Sequence, residues 1–336
     1  MKTENAERGL ESLVIDVLDV GHGSCVVVRS QDEVVLIDAG PGGQVLEYLR
    51  TEGITAIASV VVSHADADHI GGISAILSQG IDVGKLVWNG DSMKRSALWL
   101  DLVYQIAELQ NDGVVVASQN AHDDTRLEVG SSKVVIDLLA PGLILRQLGA
   151  GGSLKDGRGI ESNTVSVVAQ IVVDGEPILL VPGDLDAIAF EFLSNGPHKS
   201  RLKTKYLLLP HHGGLLGTPR QTVEVVTALM DAVEPEVVFV SNGRGKFHNP
   251  RADVLDSVRK AKARVVVACT QLSRECAVLE LMQGPGQAPY SAGWSRGHSC
   301  QGSSRISLGN GIGAPLDLSR HAEFLSAQVP ASLCTR

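Results

Sequence analysis

The chain has 336 residues, of which 44% are hydrophobic, and a formal net charge of −9 at pH 7. This size and composition indicate a globular protein with one large core or two smaller ones. The negative charge excludes a general electrostatic attraction for nucleic acids, and no apolar run approaches the ~20 residues that a membrane span requires. Residues 1–11 are polar and lack the apolar core of a signal peptide, so we expect a cytoplasmic location.

Hydrophobic periodicity predicts alternating strands and helices along most of the chain. The predicted strands cover residues 12–20, 24–30, 33–38, 57–63, 84–88, 114–117, 133–140, 164–173, 177–182, 205–210, 236–241 and 264–268. The predicted helices cover residues 45–53, 72–79, 96–111, 186–195, 219–232 and 251–262. Strands outnumber helices and no linker interrupts the series, which favours one α/β domain over residues 12–270 behind a short tail, residues 1–11.

The composition changes after residue 270. Gly, Ser, Pro and Gln dominate residues 283–313, with one predicted strand at 304–308 and one short helix at 316–327. We expect residues 271–336 to form a C-terminal extension that is docked on the domain or partly disordered. A protein partner could bind through this extension.

Residues 63–72, which read SHADADHIGG, place two histidines and two aspartates within six positions. A loop that leaves a strand can direct His64, Asp66 and Asp68 toward one point, while His69 begins the next element. Imidazoles and carboxylates together bind divalent metals, which lower the pKa of bound water to about 7. The pattern predicts a metal centre; the alternative is a solvated acidic loop.

Further histidines and aspartates follow predicted strands downstream. Asp184 comes after Gly183 at a strand end, where it can bridge two metals or cap the next helix. His211 and His212 are adjacent after a later strand, so their side chains point in different directions. These positions add candidate ligands to the first motif.

Residues 63–72 resemble the second motif of the metallo-β-lactamase superfamily, His-x-His-x-Asp-His, and their Asp-His-Ile-Gly-Gly ending is most similar to the hydrolase domain of ComEC-type competence proteins. Five other segments resemble the same family in the same order: residues 16–25, 36–40, 161–166, 180–184 and 209–213. The resemblance implies a four-layer αββα sandwich over residues 12–270. It also implies a metal-dependent hydrolase.

The resemblance implies two divalent metal ions, zinc or manganese, with Asp184 between them. The implied ligands are His64, Asp66, Asp68, His69, Asn163, Asp184 and His211. Asp66 stands where the superfamily usually has its second His, and Asn163 stands where many relatives have a metal-binding His. Carboxylates in place of imidazoles favour manganese relative to zinc.

The resemblance also suggests roles around the ions. The candidate catalytic residues are Asp68, His212, which would contact a phosphate oxygen or support a ligand, and His248, which would protonate a leaving group or bind a phosphate. The family's histidine stands one place later than His248. Asp38 would orient the histidine-rich loop, and His22 would lie at the mouth of the site.

The resemblance to ComEC-type proteins implies a phosphodiesterase or nuclease that cleaves DNA or RNA through a metal-activated hydroxide. Two alternatives remain open. The same fold hydrolyses small esters, thioesters, lactams and nucleotides. A weakened site would instead suit a non-catalytic scaffold or regulatory subunit.

The cysteines suggest a separate site. Cys269, Cys276, His298 and Cys300 form a loose Cys-x₆-Cys…His-x-Cys pattern that could hold a structural zinc in the extension. Free thiols in a reducing compartment are the alternative.

Overall fold

The computed structural model describes residues 13–30, 33–91, 93–119, 121–245, 247–262, 264–276, 284–285, 288–308 and 316–335. The predicted N-terminal tail, residues 1–11, lies outside the described residues.

The described strands form two sheets. The strands are β1 (Val14–Val17), β2 (Val26–Ser30), β3 (Glu33–Ile37), β4 (Ala56–Val61), β5 (Asp82–Val87), β6 (Val116–Ser118), β7 (Arg126–Val129), β8 (Ser131–Ala140), β9 (Val168–Val173), β10 (Glu176–Val181), β11 (Tyr206–Leu208), β12 (Val237–Val240), β13 (Val266–Cys269) and β14 (Ser304–Ser307). The first sheet has the order β14-β1-β2-β3-β4-β5-β6 and the second the order β13-β12-β11-β10-β9-β8-β7. Strands β3 to β6 are parallel in the first sheet, and β10 to β13 are parallel in the second.

Helices cover the outer faces of both sheets. The described helices are α1 (Gln44–Thr51), α2 (Ala67–Ile70), α3 (Ile73–Ser78), α4 (Ala97–Asn111), α5 (Leu143–Leu148), α6 (Ala187–Asn195), α7 (Pro219–Val233), α8 (Ala252–Ala261), α9 (Ala292–Arg296) and α10 (Ser319–Gln328).

Three apolar cores separate these layers. Side chains of both sheets, such as Ile37 and Ile171, pack against each other in the inner core. Tyr48 and Trp99 belong to an outer core under α1–α4, and Leu229 to the outer core under α7 and α8. Since each sheet buries both faces, its strands are nearly continuous apolar runs. The predicted four-layer αββα sandwich is confirmed.

The local predictions needed three corrections. Residues 163–165 form a 3₁₀ turn rather than the start of a strand, because Ser166 N donates to Asn163 O (3.1 Å) and β9 begins only at Val168. The predicted helix 72–79 is preceded by the separate short helix α2. The hydrophobic periodicity of the sequence does not predict helices α5 and α9 or strand β7. Each has only four to six residues, a length at which that periodicity is weak.

Parts of the extension complete the domain. Strand β14 pairs antiparallel with β1, so that Val14 faces Ser307 and Val17 faces Ser304. Phe324 of α10 joins the outer core of the second sheet. Residues 277–283 and 309–315 lie outside the described residues.

Within the part of the chain that the structure describes, none of the helices combines the length and apolar character that crossing a membrane would take.

Candidate metal centre

The predicted ligands gather where parallel strands of both sheets end. The histidine-rich loop follows β4, Asp184 follows β10, and the pair His211 and His212 follows β11. Ligands commonly bind at the carboxyl ends of parallel strands, since neighbouring loops converge there. The sandwich therefore brings residues far apart in sequence to one place.

Asp68, His69, Asp184 and His212 offer ligand atoms that all lie within 4.8 Å of one another. His69 Nε2 is 3.0 Å from Asp184 Oδ1, and His212 Nε2 is 3.7 Å from the same oxygen and 3.5 Å from Asp68 Oδ2. Three of the four side chains are buried, and Asp68 is partly exposed. We call these four residues the metal cluster.

Buried polar groups fix the orientation of His69. Asp38 Oδ2 is 2.6 Å from His69 Nδ1, and both Asp38 oxygens accept hydrogen bonds from Ser63, from its backbone N (2.7 Å) and its Oγ (2.8 Å). In the same way, His212 Nδ1 is 2.7 Å from Ser241 O. Since Nδ1 is engaged in each ring, Nε2 is directed into the cluster.

The loops reach this geometry through left-handed backbone conformations. Asp38, His211 and His212 have φ values of 61°, 50° and 55°, which are uncommon for residues other than glycine. Gly183 has φ 56°, and a Cβ atom there would lie 2.4 Å from Ser166 Oγ. Such conformations cost free energy and cluster at functional sites, and here they aim the candidate ligands.

The carboxylates of the cluster stay ionised. Burial opposes the charge on Asp68, but the close contacts with His212 (3.5 Å) and His22 (3.3 Å) outweigh it and hold its pKa well below the usual range. Burial also opposes the charge on Asp184, and the nearby His69 and His212 lower its pKa far more strongly. By contrast, burial lowers the pKa of His64 to about 4, which keeps this imidazole neutral and able to bind a metal.

The cluster fits a divalent metal. Within the cluster, His69 Nε2, His212 Nε2 and Asp184 Oδ1 are buried and form no hydrogen bond among the described residues, and the same holds for His64 Nε2 on the other side of Asp184. Unpartnered buried polar atoms are costly, so several of them around one carboxylate indicate a site for a cation. Two imidazoles and two carboxylates suit zinc or manganese.

The other predicted ligands lie on a second side of Asp184. His64 Nε2 is 3.8 Å and His211 Nε2 is 3.6 Å from Asp184 Oδ2. Asp66 instead forms an ion pair with Lys94. Asn163 lines a neighbouring cavity of 440 Å³ together with His211. Asp184 does not cap the following helix, since Asp186 accepts that hydrogen bond from Ala189 N (2.8 Å).

His22 and His248 occupy different environments. His22 Nε2 is 3.3 Å from Asp68 Oδ2, and its ring packs against those of His212 and Phe247 with centroids 4.5 Å apart. The side chain of His248 is 83% exposed and its Nδ1 is 3.7 Å from Glu275 Oε1. The structure thus brings His22 to the metal cluster and leaves His248 facing solvent.

The cysteine pattern has a different histidine neighbour from the one predicted. Cys300 Sγ is 3.3 Å from His321 Nε2, whereas His298 Nδ1 is 3.2 Å from Arg296 O. Cys269 and Cys300 are buried in the outer core of the second sheet, with Cys276 packed against it. A zinc ion at these cysteines stays a prediction.

Sequence reasoning missed three residues that shape the centre: Ser63, Ser166 and Lys94. Ser63 Oγ lies 3.0 Å from His64 Nδ1, and Ser166 Oγ accepts a hydrogen bond from Asp184 N (3.0 Å). Ser63 and Ser166 lie inside recognised motifs, but hydroxyls carry no sequence signal of their own. Lys94 follows the end of β5, which is parallel to β4. Because the loops after neighbouring parallel strands lie side by side, this position indicates a contact between Lys94 and the histidine-rich loop.

Comparison with known proteins shows which family the chain belongs to. The sequence model of the metallo-beta-lactamase superfamily matches residues 18–209, more than half of the chain. Recombination protein 2 of Haemophilus influenzae is 24% identical over 270 residues, which is 75% of this chain and 27% of that protein. Competence protein ComA of Neisseria gonorrhoeae is 27% identical over 252 residues, 73% of this chain and 29% of that protein. The chain therefore spans less than a third of the length of these curated relatives.

Solved structures also match. Igni18, a metallo hydrolase from the archaeon Ignicoccus hospitalis, aligns with a TM-score of 0.46 and 18% identity, over 76% of this chain and 94% of that one.

Proposed function

We propose that this member of the metallo-beta-lactamase superfamily is a metal-dependent hydrolase that cleaves phosphodiester bonds in DNA or RNA. The metal cluster carries this proposal, because its two carboxylates and two imidazoles lie within 4.8 Å of one another. The relatives named for recombination and competence support a nucleic acid as the substrate.

Zinc or manganese is the proposed ion, held by Asp68, His69, Asp184 and His212. When bound, it would supply an activated water and offset the charge that develops on a phosphate. Asp38 holds His69 with Nε2 toward the cluster, and Ser166 Oγ fixes the backbone that carries Asp184. The family resemblance implies a second ion on the side of His64 and His211.

The cavity beside His211 supports a polar substrate. It has a volume of 440 Å³, within the range of small-ligand sites. Polar or charged side chains, among them Asn163, Thr164 and Gln221, make up more than half of its lining. A hydrolase of small esters would be expected to have an apolar pocket, so this lining argues against that alternative. Its charged residues are Arg158 and the carboxylates Glu161, Asp186 and Glu191, so a phosphate is expected to bind at the metal centre.

The thiols support a reducing compartment such as the cytoplasm. All five cysteines of the chain are free in the structure, and disulfides are rare in reducing compartments. A protein partner that binds through the C-terminal extension remains part of the proposal.

Cleavage of labelled single- and double-stranded DNA and RNA tests the function. Metal-stripped protein is assayed with added Mn²⁺, Mg²⁺ or Zn²⁺, and the Asp68→Ala/His69→Ala double variant should lose activity. His122 and Asp123 form a second histidine–aspartate group on the loop before β7, so His122→Ala/Asp123→Ala is a matched control that should retain activity.

Salt dependence separates the substrate classes. Cleavage of a polyanion should weaken steeply as salt rises, whereas hydrolysis of a neutral ester should not. Absence of nucleic-acid cleavage with every metal, together with hydrolysis of a small ester or thioester, would contradict the proposal.

A further inference from the structure

Lys94 places a fixed positive charge beside the metal centre. Its Nζ contacts Asp66 Oδ1, and the two side chains are 26% and 35% exposed. Strands β4 and β5 are parallel, with Val61 facing Val87, so the loops that follow them are neighbours. Lys94, in the loop that follows β5, therefore places its positive charge beside the histidine-rich loop.

The position of Lys94 is held by its own loop. Lys94 N lies 3.2 Å from both Asp91 Oδ1 and Asp91 O. Asp91 is only 4% exposed, and its other carboxylate oxygen accepts a hydrogen bond from Ser162 Oγ. Ser162 precedes Asn163 at the edge of the centre. The backbone of Lys94 is thus held by a buried carboxylate, and its ammonium is held by Asp66.

The two oxygens of Asp184 divide the centre into two sides. Oδ1 faces His69 (3.0 Å) and His212 (3.7 Å), which with Asp68 complete the metal cluster. Oδ2 faces His64 (3.8 Å) and His211 (3.6 Å). The family resemblance implies Asp66 as a further ligand of the centre, and Asp66 forms an ion pair with Lys94 instead.

We propose that the centre binds one tightly held divalent ion, on the Oδ1 side, and that Lys94 supplies the positive charge on the Oδ2 side, where it binds a phosphate oxygen of the substrate. This inference rests on the proposed function, and it replaces the second ion that the family resemblance implies with the ammonium of Lys94. A second dication would have to compete with the ammonium for Asp66 while being repelled by it. Lysine is a compact point charge that binds phosphate well.

Metal stoichiometry tests the first half. The metal-stripped full chain is titrated with Mn²⁺ or Zn²⁺ by calorimetry, and bound metal is counted by mass spectrometry. Wild type should bind one equivalent tightly, and Lys94→Met should gain a second because Asp66 is released. Lys85→Met, on the preceding strand β5, should keep one equivalent. Two tight equivalents in wild type, or one in Lys94→Met, would overturn the proposal.

Phosphate binding tests the second half. Inorganic phosphate titrated into the metal-loaded protein should bind at least about tenfold more weakly to Lys94→Met, because a charge-assisted contact is lost. Lys94→Arg keeps the charge and should retain most of the affinity, and Lys85→Met should match wild type. Equal phosphate affinity in wild type and Lys94→Met would overturn the role of the ammonium.

Two further readouts keep these tests decisive. If circular dichroism shows that Lys94→Met is unfolded, Asp66→Asn replaces it. This variant should keep the single tight ion and bind phosphate at least as tightly as wild type, because the ammonium loses its carboxylate partner. Loss of the ion, or weaker phosphate binding, would overturn the proposal. Nucleic-acid cleavage is scored separately. An active enzyme with two tight ions refutes this inference alone, whereas a one-ion protein without cleavage refutes the proposed function.

Discussion

Asp38 Oδ2 lies 2.6 Å from His69 Nδ1, and both side chains are buried. This contact fixes the imidazole so that Nε2 faces Asp184 Oδ1 at 3.0 Å. A carboxylate behind a metal-binding histidine sets the ring orientation and raises its basicity. One ligand therefore depends on a residue that follows β3, which connects the stability of the first sheet to the metal cluster.

Asp38→Asn should weaken metal binding by about 10–100-fold, since the amide cannot hold the ring as the carboxylate does. The measurement is competition of metal-loaded protein against a chelator of known affinity. Asp82→Asn, at the exposed start of β5, is the control and should bind metal like wild type. Unchanged affinity in Asp38→Asn would show that His69 is held by other contacts.

Gly183→Ala should destabilise the fold and displace Asp184. Its backbone has φ 56°, and a Cβ would lie 2.4 Å from Ser166 Oγ and 2.9 Å from Ser63 Cβ. Strain and crowding together should cost about 2–5 kcal/mol in the free energy of unfolding, measured with urea. Gly157→Ala, at φ 87° with nothing within 4 Å, should lose only the strain, about 1–2 kcal/mol. Equal losses would rule out crowding at Gly183.

Asp19 should be essential for docking of the extension. Its buried carboxylate accepts hydrogen bonds from Gln271 Nε2 (2.7 Å), Ser291 Oγ (2.6 Å) and Gly293 N (2.7 Å). Asp19→Ala leaves these donors without an acceptor, so we expect a loss of at least about 2 kcal/mol and faster proteolysis within residues 288–308. Asp317→Ala, at an exposed position, should resist protease like wild type. A protected extension in Asp19→Ala would contradict this account.

His321 should make the protein less stable in acid. Burial lowers its pKa from 6.5 to about 4. Between these values the unfolded chain binds a proton that the folded chain does not, so stability falls as pH drops from 6.5 toward 4, by up to about 3 kcal/mol. His321→Gln should show a shallower loss in unfolding experiments at several pH values, whereas His248→Gln, on an exposed side chain, should follow wild type. A parallel pH profile in His321→Gln would refute this role.

The sequence predicted the layers and the ligand loops because strand periodicity and motif order are local signals. His64 and His69 follow a predicted strand of the first sheet, and Asp184 follows a predicted strand of the second. Contacts between distant segments carried no such signal. The pairing of Lys94 with Asp66 depends on the register of β4 and β5, and which of His211 and His212 enters the metal cluster depends on left-handed backbone angles.

The surroundings of the cysteines also depend on contacts between segments that are distant in the sequence. Proximity in sequence predicts His298 as the partner of Cys300, but helix α10 brings His321 to its sulfur instead. Packing of α10 on the outer core decides that contact, and spacing along the chain does not encode it.

The most direct test of the central claim is calorimetric titration of the metal-stripped protein with Mn²⁺ and Zn²⁺, comparing wild type with Asp184→Asn and His212→Ala. The account predicts tight binding to wild type and a loss of at least about 100-fold in each variant, because each removes one of four converging ligands. His122→Ala is the matched control and should bind like wild type. Absence of binding in wild type, or equal binding in all four proteins, would contradict the assignment of the metal centre.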